Sequence, residues 1–108
     1  MLMEEKNRGK MTSLSRRINK FGNIEYRNKN NKLHRDNGPA IIFADGTQSW
    51  YKNGKCHREN GPALIGFIGI QEWYKNGELH RKDGPSVIYA DGRKEHWENG
   101  KIIRYKYY

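Results

Sequence analysis

The chain has 108 residues, of which 34% are hydrophobic and 31% are charged, and 21 Lys and Arg against 12 Asp and Glu give a formal charge of +9. This length allows one small domain, whose core is marginal unless neighbouring units share it, and the charge favours an acidic partner. A single cysteine, Cys56, excludes an intrachain disulfide framework. The sequence shows neither a signal-peptide core nor a membrane span, so we expect a soluble, cytoplasmic protein.

The N-terminal segment, residues 1–20, differs from the rest of the chain and carries six basic and two acidic residues. Thr12-Ser13 could cap a short helix that begins at Leu14. A basic tail is the favoured alternative, because chain ends with few apolar residues are seldom held down. We therefore predict a tail or short capping helix over 1–20 and a separate domain over 21–108.

A 23-residue period runs through the predicted domain. His34-Arg35, His57-Arg58 and His80-Arg81 lie 23 residues apart. The same period relates Trp50–Gly54 to Trp73–Gly77, and Asn37–Pro39 to Asn60–Pro62 and Asp83–Pro85. The approximate copies are 21–43, 44–66, 67–89 and 90–108, and the first is degenerate and one residue longer before Asn30-Asn31. Atypical end copies are expected of a repeat stack.

The turn residues predict the local structure of each copy. Asn-Gly and Asp-Gly between apolar residues favour two-residue hairpin turns, because type I′ turns need a positive φ at both central positions. The Asn/Asp-Gly-Pro triplets predict a further turn. The fold class is therefore all-β: an antiparallel meander of tandem 23-residue β-hairpin repeats that forms a small twisted sheet.

Pairing across Asn53-Gly54 predicts which side chains share a face. Tyr51 would oppose Cys56 on one face, and Trp50 would oppose His57 on the other. The same logic at Asp45-Gly46 adds Ala40 and Ile42 to the Tyr51 face, and Ile41 and Phe43 to the Trp50 face. The Tyr51 face has the composition of a core. The Trp–His pairs suit either a structural ladder or a binding surface.

The sequence predicts neither catalysis nor metal or cofactor binding. Cys56 and His57 are adjacent, but neighbouring strand residues face opposite sides of a sheet and cannot form a nucleophile–base pair. The repeated histidines lie at least two strands apart, roughly 10 Å, which is too far for one zinc ion. The acidic residues fall in turns, so no acid–base pair is predicted.

Three segments, Tyr51–His57, Tyr74–His80 and Trp97–Lys101, resemble the MORN repeat family, and most closely its degenerate variants from bacteriophages and large DNA viruses. The resemblance implies a hairpin meander and a non-catalytic scaffold that binds proteins, sometimes binds lipids and sometimes dimerises. It also implies a viral accessory protein. Arg58 and Arg81 depart from the family, which usually has Gly after the His, and the Gly-Pro turn is not part of its standard unit.

Two functions follow from these patterns. The first is a non-catalytic binding module, such as a viral inhibitor, that engages an acidic host protein surface through a repeated Trp/Arg/His face. The alternative is binding of single-stranded nucleic acid by stacking on the aromatic residues and by phosphate contacts. The candidate binding residues are Trp50, Trp73, His57, His80, Arg35, Arg58, Arg81, Arg16 and Arg17. A homodimer is left open.

Overall fold

The computed structural model describes residues 14–106, which form β-strands and turns without a helix. The strands are β1 (Ser15–Ile18), β2 (Ile24–Arg27), β3 (Ile41–Ile42), β4 (Gln48–Ser49), β5 (Tyr51–Lys52), β6 (Lys55–Cys56), β7 (Leu64–Ile65), β8 (Gln71–Glu72), β9 (Tyr74–Lys75), β10 (Glu78–Leu79), β11 (Val87–Ile88), β12 (Lys94–Glu98) and β13 (Lys101–Lys106). The predicted all-β class is confirmed.

Nine of these strands form one sheet in the order β1-β2-β3-β4-β7-β8-β11-β12-β13, and all neighbours are antiparallel. The sheet is therefore a meander, as predicted. The pairs β5–β6 and β9–β10 form separate two-stranded hairpins that leave the main sheet at Trp50 and Trp73. The described strand segments are short, and the molecule measures 54 × 26 × 17 Å.

The Asn-Gly turns have the predicted geometry. Asn53 and Gly54 have φ values of 49° and 84°, and this two-residue turn pairs Tyr51 with Cys56. Asn76-Gly77 and Asn99-Gly100 have similar positive φ values. The first copy differs because the Asn28 amide donates to the Lys32 carbonyl across a three-residue loop, which explains its extra residue.

The Asp-Gly turn was predicted wrongly. The Phe43 amide donates to the Thr47 carbonyl (2.8 Å), so residues 44–46 form a three-residue loop in which Gly46 has a φ of 96°. This is a type I turn followed by a left-handed residue, the usual geometry for hairpin loops of three residues. Equivalent bonds join residues 19 and 23, 66 and 70, and 89 and 93.

The longer loop moves the pairing by one residue and exchanges the faces of β3. Ile41 pairs with Ser49 and Ile42 with Gln48. Because a one-residue shift turns every side chain over, Ala40 and Ile42 share the face of Trp50, while Ile41 and Phe43 share the opposite face. The prediction had these two pairs the other way round.

Within the described residues, the end of the predicted tail or capping helix is a strand instead. Ser15–Ile18 form strand β1, which pairs with β2 through the loop that ends at Gly22 (φ 86°), instead of a tail or a capping helix. This loop is equivalent to residues 44–46, so the hairpin belongs with the first copy. Residues 1–13 of the predicted tail lie outside the described residues, as do 107–108.

The core is thin, and part of it lies along a row that crosses the sheet, while Ile41 and Val87 are buried on the opposite face. Ala40 and Ala63 have no exposed surface and alternate along this row with Tyr26, Trp50 and Trp73. Small buried residues between large aromatic ones let the rings lie close to the sheet. Within residues 14–106, no helix is available that could cross a membrane.

Candidate binding grooves

Each aromatic ring in the row has an arginine stacked on it. The guanidinium carbon lies 3.9 Å from the ring centre in the Arg58–Trp50 pair and 4.1 Å in the Arg81–Trp73 pair. Arg35 stacks on Tyr26 in the same way, at 3.9 Å. These distances are well within the range of a favourable cation–π interaction.

The stacked guanidinium groups have further partners within their own loops. Arg58 Nη1 donates to the Pro62 carbonyl (3.0 Å), and Arg81 Nη1 donates to the Pro85 carbonyl (2.9 Å). A Cβ atom at Gly84 would lie 2.8 Å from Arg81 Cζ, so the glycine leaves space for the stack. The arginine, glycine and proline that recur in the sequence therefore form one clamp that shapes the loop against the aromatic ring.

The three repeated histidines connect successive copies. Nδ1 of His34, His57 and His80 accepts a hydrogen bond from the backbone amide of Asn53, Asn76 and Asn99, at 2.9, 2.9 and 3.0 Å. Nδ1 must be unprotonated to accept these bonds. The contacts support the structural-ladder interpretation of these residues, and the described residues contain no cluster of three or more possible metal ligands.

Carboxylates lie beside the other nitrogen of two histidines. His57 Nε2 is 2.6 Å from Glu59, and His34 Nε2 is 3.2 Å from Asp36. Because Nδ1 accepts, Nε2 carries the proton and donates to the carboxylate. The hydrogen bond from His57, together with the nearby Lys75 ammonium, lowers the pKa of Glu59.

These loops enclose two equivalent open grooves. The first, of about 430 Å³, lies between residues 35–38 and 57–60, with residues 50–52 as its floor. The second, of about 680 Å³, lies between residues 58–61 and 80–83, with residues 73–75 as its floor. The two grooves are 23 residues apart in the sequence, and each has a tryptophan, a tyrosine and a lysine among its lining residues.

Basic residues outnumber acidic ones in both grooves, by three to two in the first and four to two in the second. The arginines among them are engaged in the aromatic stacks. Lys52, Lys75 and Lys82 are exposed instead, although Lys75 Nζ lies 3.8 Å from Glu59. The lysines are therefore the groove cations best placed to meet a ligand.

The grooves bring together most of the predicted site residues. Their linings include Trp50, Trp73, His57, His80, Arg35, Arg58 and Arg81. Arg16 and Arg17 are not among them, since both lie exposed on β1 at one end of the sheet. Lys52 and Lys75 were not among the predicted site residues, although they lie 23 residues apart, as Trp50 and Trp73 do.

Cys56 lies outside the grooves. Its Sγ atom is 3.6 Å from Ser49 Oγ, and burial raises the pKa of the thiol. The His57 ring contacts Asn76 and Glu59 instead. This geometry suits a small buried side chain and gives the thiol no activating base.

Tyr74, in the floor of the second groove, is held by the sheet beneath it. Its hydroxyl donates to Glu72 (2.8 Å), and burial together with this carboxylate raises the pKa of the phenol. The tyrosine is therefore neutral and fixed in place.

No family model, characterised protein or solved structure matches the chain. The resemblance to MORN repeats therefore stays a prediction that rests on the sequence segments quoted above.

Proposed function

We propose that the protein is a non-catalytic binding module that holds an acidic segment of a partner protein in its two grooves. The observation that carries the proposal is the equivalence of the grooves, each of which is lined by a tryptophan and a lysine at matching positions and has a net excess of basic residues. Two copies of one local site within a single sheet can act on one ligand, and the second contact then forms at a high effective concentration.

The roles of the candidate residues differ from those first expected. The tryptophans supply rigid contact area, which commonly dominates binding energy. Arg58 and Arg81 hold the rings and loops, while Lys52 and Lys75 meet the carboxylates of the ligand. Charges at the rim of a site chiefly raise the association rate and suppress wrong partners, so we assign the lysines that part.

Selection from a random peptide display library on the immobilised protein tests this proposal without assuming a ligand. We expect the selected peptides to be rich in Asp and Glu. The variant K52E/K75E should bind them at least about tenfold more weakly, because two attractive contacts become repulsive. Selection of neutral or basic peptides, or equal binding by K52E/K75E, would contradict the proposal.

The matched control is K29E/K101E, which makes the same change in charge at two exposed lysines outside the grooves. It should bind the selected peptides nearly as well as the unaltered protein. Loss of binding in both variants would show that only the total charge matters.

Nucleic-acid binding is the alternative, and the exposed basic residues of the N-terminal half favour it. Arg16, Arg17, Lys29 and Lys32 are all exposed there. If nucleic acid is the ligand, log affinity should fall steeply with log salt, and K29E/K101E should weaken binding as much as K52E/K75E does. The viral origin, the cytoplasmic location and the homodimer also stay predictions.

A further inference from the structure

The aromatic residues of the grooves are regularly spaced across the sheet. Trp50 follows β4 and Trp73 follows β8, and only β7 lies between these strands. Neighbouring strands are about 4.8 Å apart, so the two rings are offset by about 9.6 Å across the sheet. Tyr26, with its own stacked Arg35, lies a further two strands away in the same row.

This spacing discriminates between the conformations that an extended peptide can adopt. A polyproline II helix has three residues per turn and rises about 3.1 Å per residue, so every third residue faces the same side at about 9.3 Å. A β-strand presents residues on one side at about 6.6 Å or, skipping one, at about 13 Å. Of the two, only the polyproline II helix matches the spacing of the rings.

We infer that the ligand is an acidic, proline-rich segment in the polyproline II conformation, with successive turns seated against the Trp50–Arg58 stack and the Trp73–Arg81 stack. This inference rests on the proposed function and specifies its ligand. Aromatic-lined grooves are a recurrent way to bind such helices, because the ligand is already ordered before it binds. The acidic residues of the segment meet Lys52 and Lys75, each of which follows its tryptophan by two residues in the sequence.

Three labelled synthetic peptides test the inference by fluorescence anisotropy on the full chain. The first has four Asp-Pro-Pro triplets, which place the carboxylates one helical turn apart. The second has four Asp-Gly-Ser triplets, which keep the number and sequence spacing of the charges in a flexible chain. The third has four Asp-Pro-Pro-Pro units, which keep the helix but break the three-residue period.

We expect the Asp-Pro-Pro peptide to bind at least about tenfold more tightly than either control, because it alone is both preordered and in register. K52E/K75E should remove this preference, whereas K29E/K101E should retain it. Both variants change exposed lysines, and their circular dichroism spectra should match that of the unaltered protein.

The other outcomes separate the inference from the proposed function. Equal affinity for the Asp-Pro-Pro and Asp-Gly-Ser peptides would overturn the polyproline II ligand but leave the binding of acidic segments in place. Equal affinity for the two proline-rich peptides would overturn the match in spacing. If none of the three binds while the display-selected acidic peptides do, the inference fails and the proposed function stands. If neither kind binds, both fail.

Discussion

The arginine after each repeated histidine is the residue that does most to shape the candidate site. Arg81 stacks on the Trp73 ring and donates through Nη1 to the Pro85 carbonyl. Its guanidinium also lies where a Cβ atom at Gly84 would be too close. The stack and the hydrogen bond fix a side chain that would otherwise be free in solution. The chain thus uses a cation to hold an aromatic residue in place.

The stack predicts a coupled loss of stability. Arg81→Ala removes the guanidinium, and Gly84→Ala displaces it, so each should lower the free energy of unfolding by about 1–2 kcal/mol. The double variant should lose much less than the sum, because both changes disrupt the same contact. Urea denaturation of the four proteins in the cycle measures the coupling.

Arg16→Ala is the matched control for this cycle. Arg16 is exposed on β1, so its loss should change the free energy of unfolding by no more than about 0.5 kcal/mol. Additive effects of the Arg81 and Gly84 substitutions, or an Arg81→Ala effect no larger than that of Arg16→Ala, would contradict the clamp.

The sequence predicted the members of the site better than their roles. The period placed Trp50, His57 and Arg58 together, and all three line the first groove. It could not show that the arginine is engaged internally, because that contact depends on how the Gly-Pro loop folds back over the ring. The positions of Gly61 and Pro62, three and four residues after Arg58, are the signal that could have indicated it.

At the scale of the elements, turn length decided which predictions succeeded. Asn-Gly needs a positive φ at both positions, so the pairing of Tyr51 with Cys56 followed directly and is confirmed. Asp-Gly also fits a three-residue loop in which only the glycine is left-handed, and that is the form present at Gly46. Sequence alone does not distinguish these two loops, and a difference of one residue exchanges the faces.

The histidine link between copies has a measurable effect on its acidic partner. The His57 N–H lowers the pKa of Glu59, so His57→Ala should raise that pKa towards its ordinary value. A carboxyl whose pKa is lowered by folding contributes stability above its unfolded pKa, and this contribution is lost as the pH falls through the folded pKa. The variant should therefore lose less stability on acidification than the unaltered protein.

Carboxyl carbon signals followed by NMR through a pH titration test this directly. Glu98 provides an internal control, since a hydrogen bond from His96 lowers its pKa and neither residue is altered. The Glu98 titration should be the same in both proteins. An unchanged Glu59 pKa in His57→Ala would show that Lys75 alone accounts for the shift.

At the scale of the whole molecule, the fold favours a long surface over a deep core. The fully buried side chains of the central row are small, and the described residues extend as a nine-stranded meander. The sequence predicted this class because the turns recur at a short, fixed interval. It did not predict strand β1, because the charges of β1 obscured a strand whose hairpin loop lacks Asp-Gly.

The central claim is that an acidic segment occupies the two grooves, and an NMR titration of the labelled protein with a display-selected acidic peptide tests it most directly. Trp97 donates its indole N–H to Glu95 outside the grooves and serves as an internal reference. We predict that the indole signals of Trp50 and Trp73 shift together and saturate, while that of Trp97 stays unchanged. Shifts confined to Arg16 and Arg17 on β1, with both groove indoles unmoved, would contradict the account.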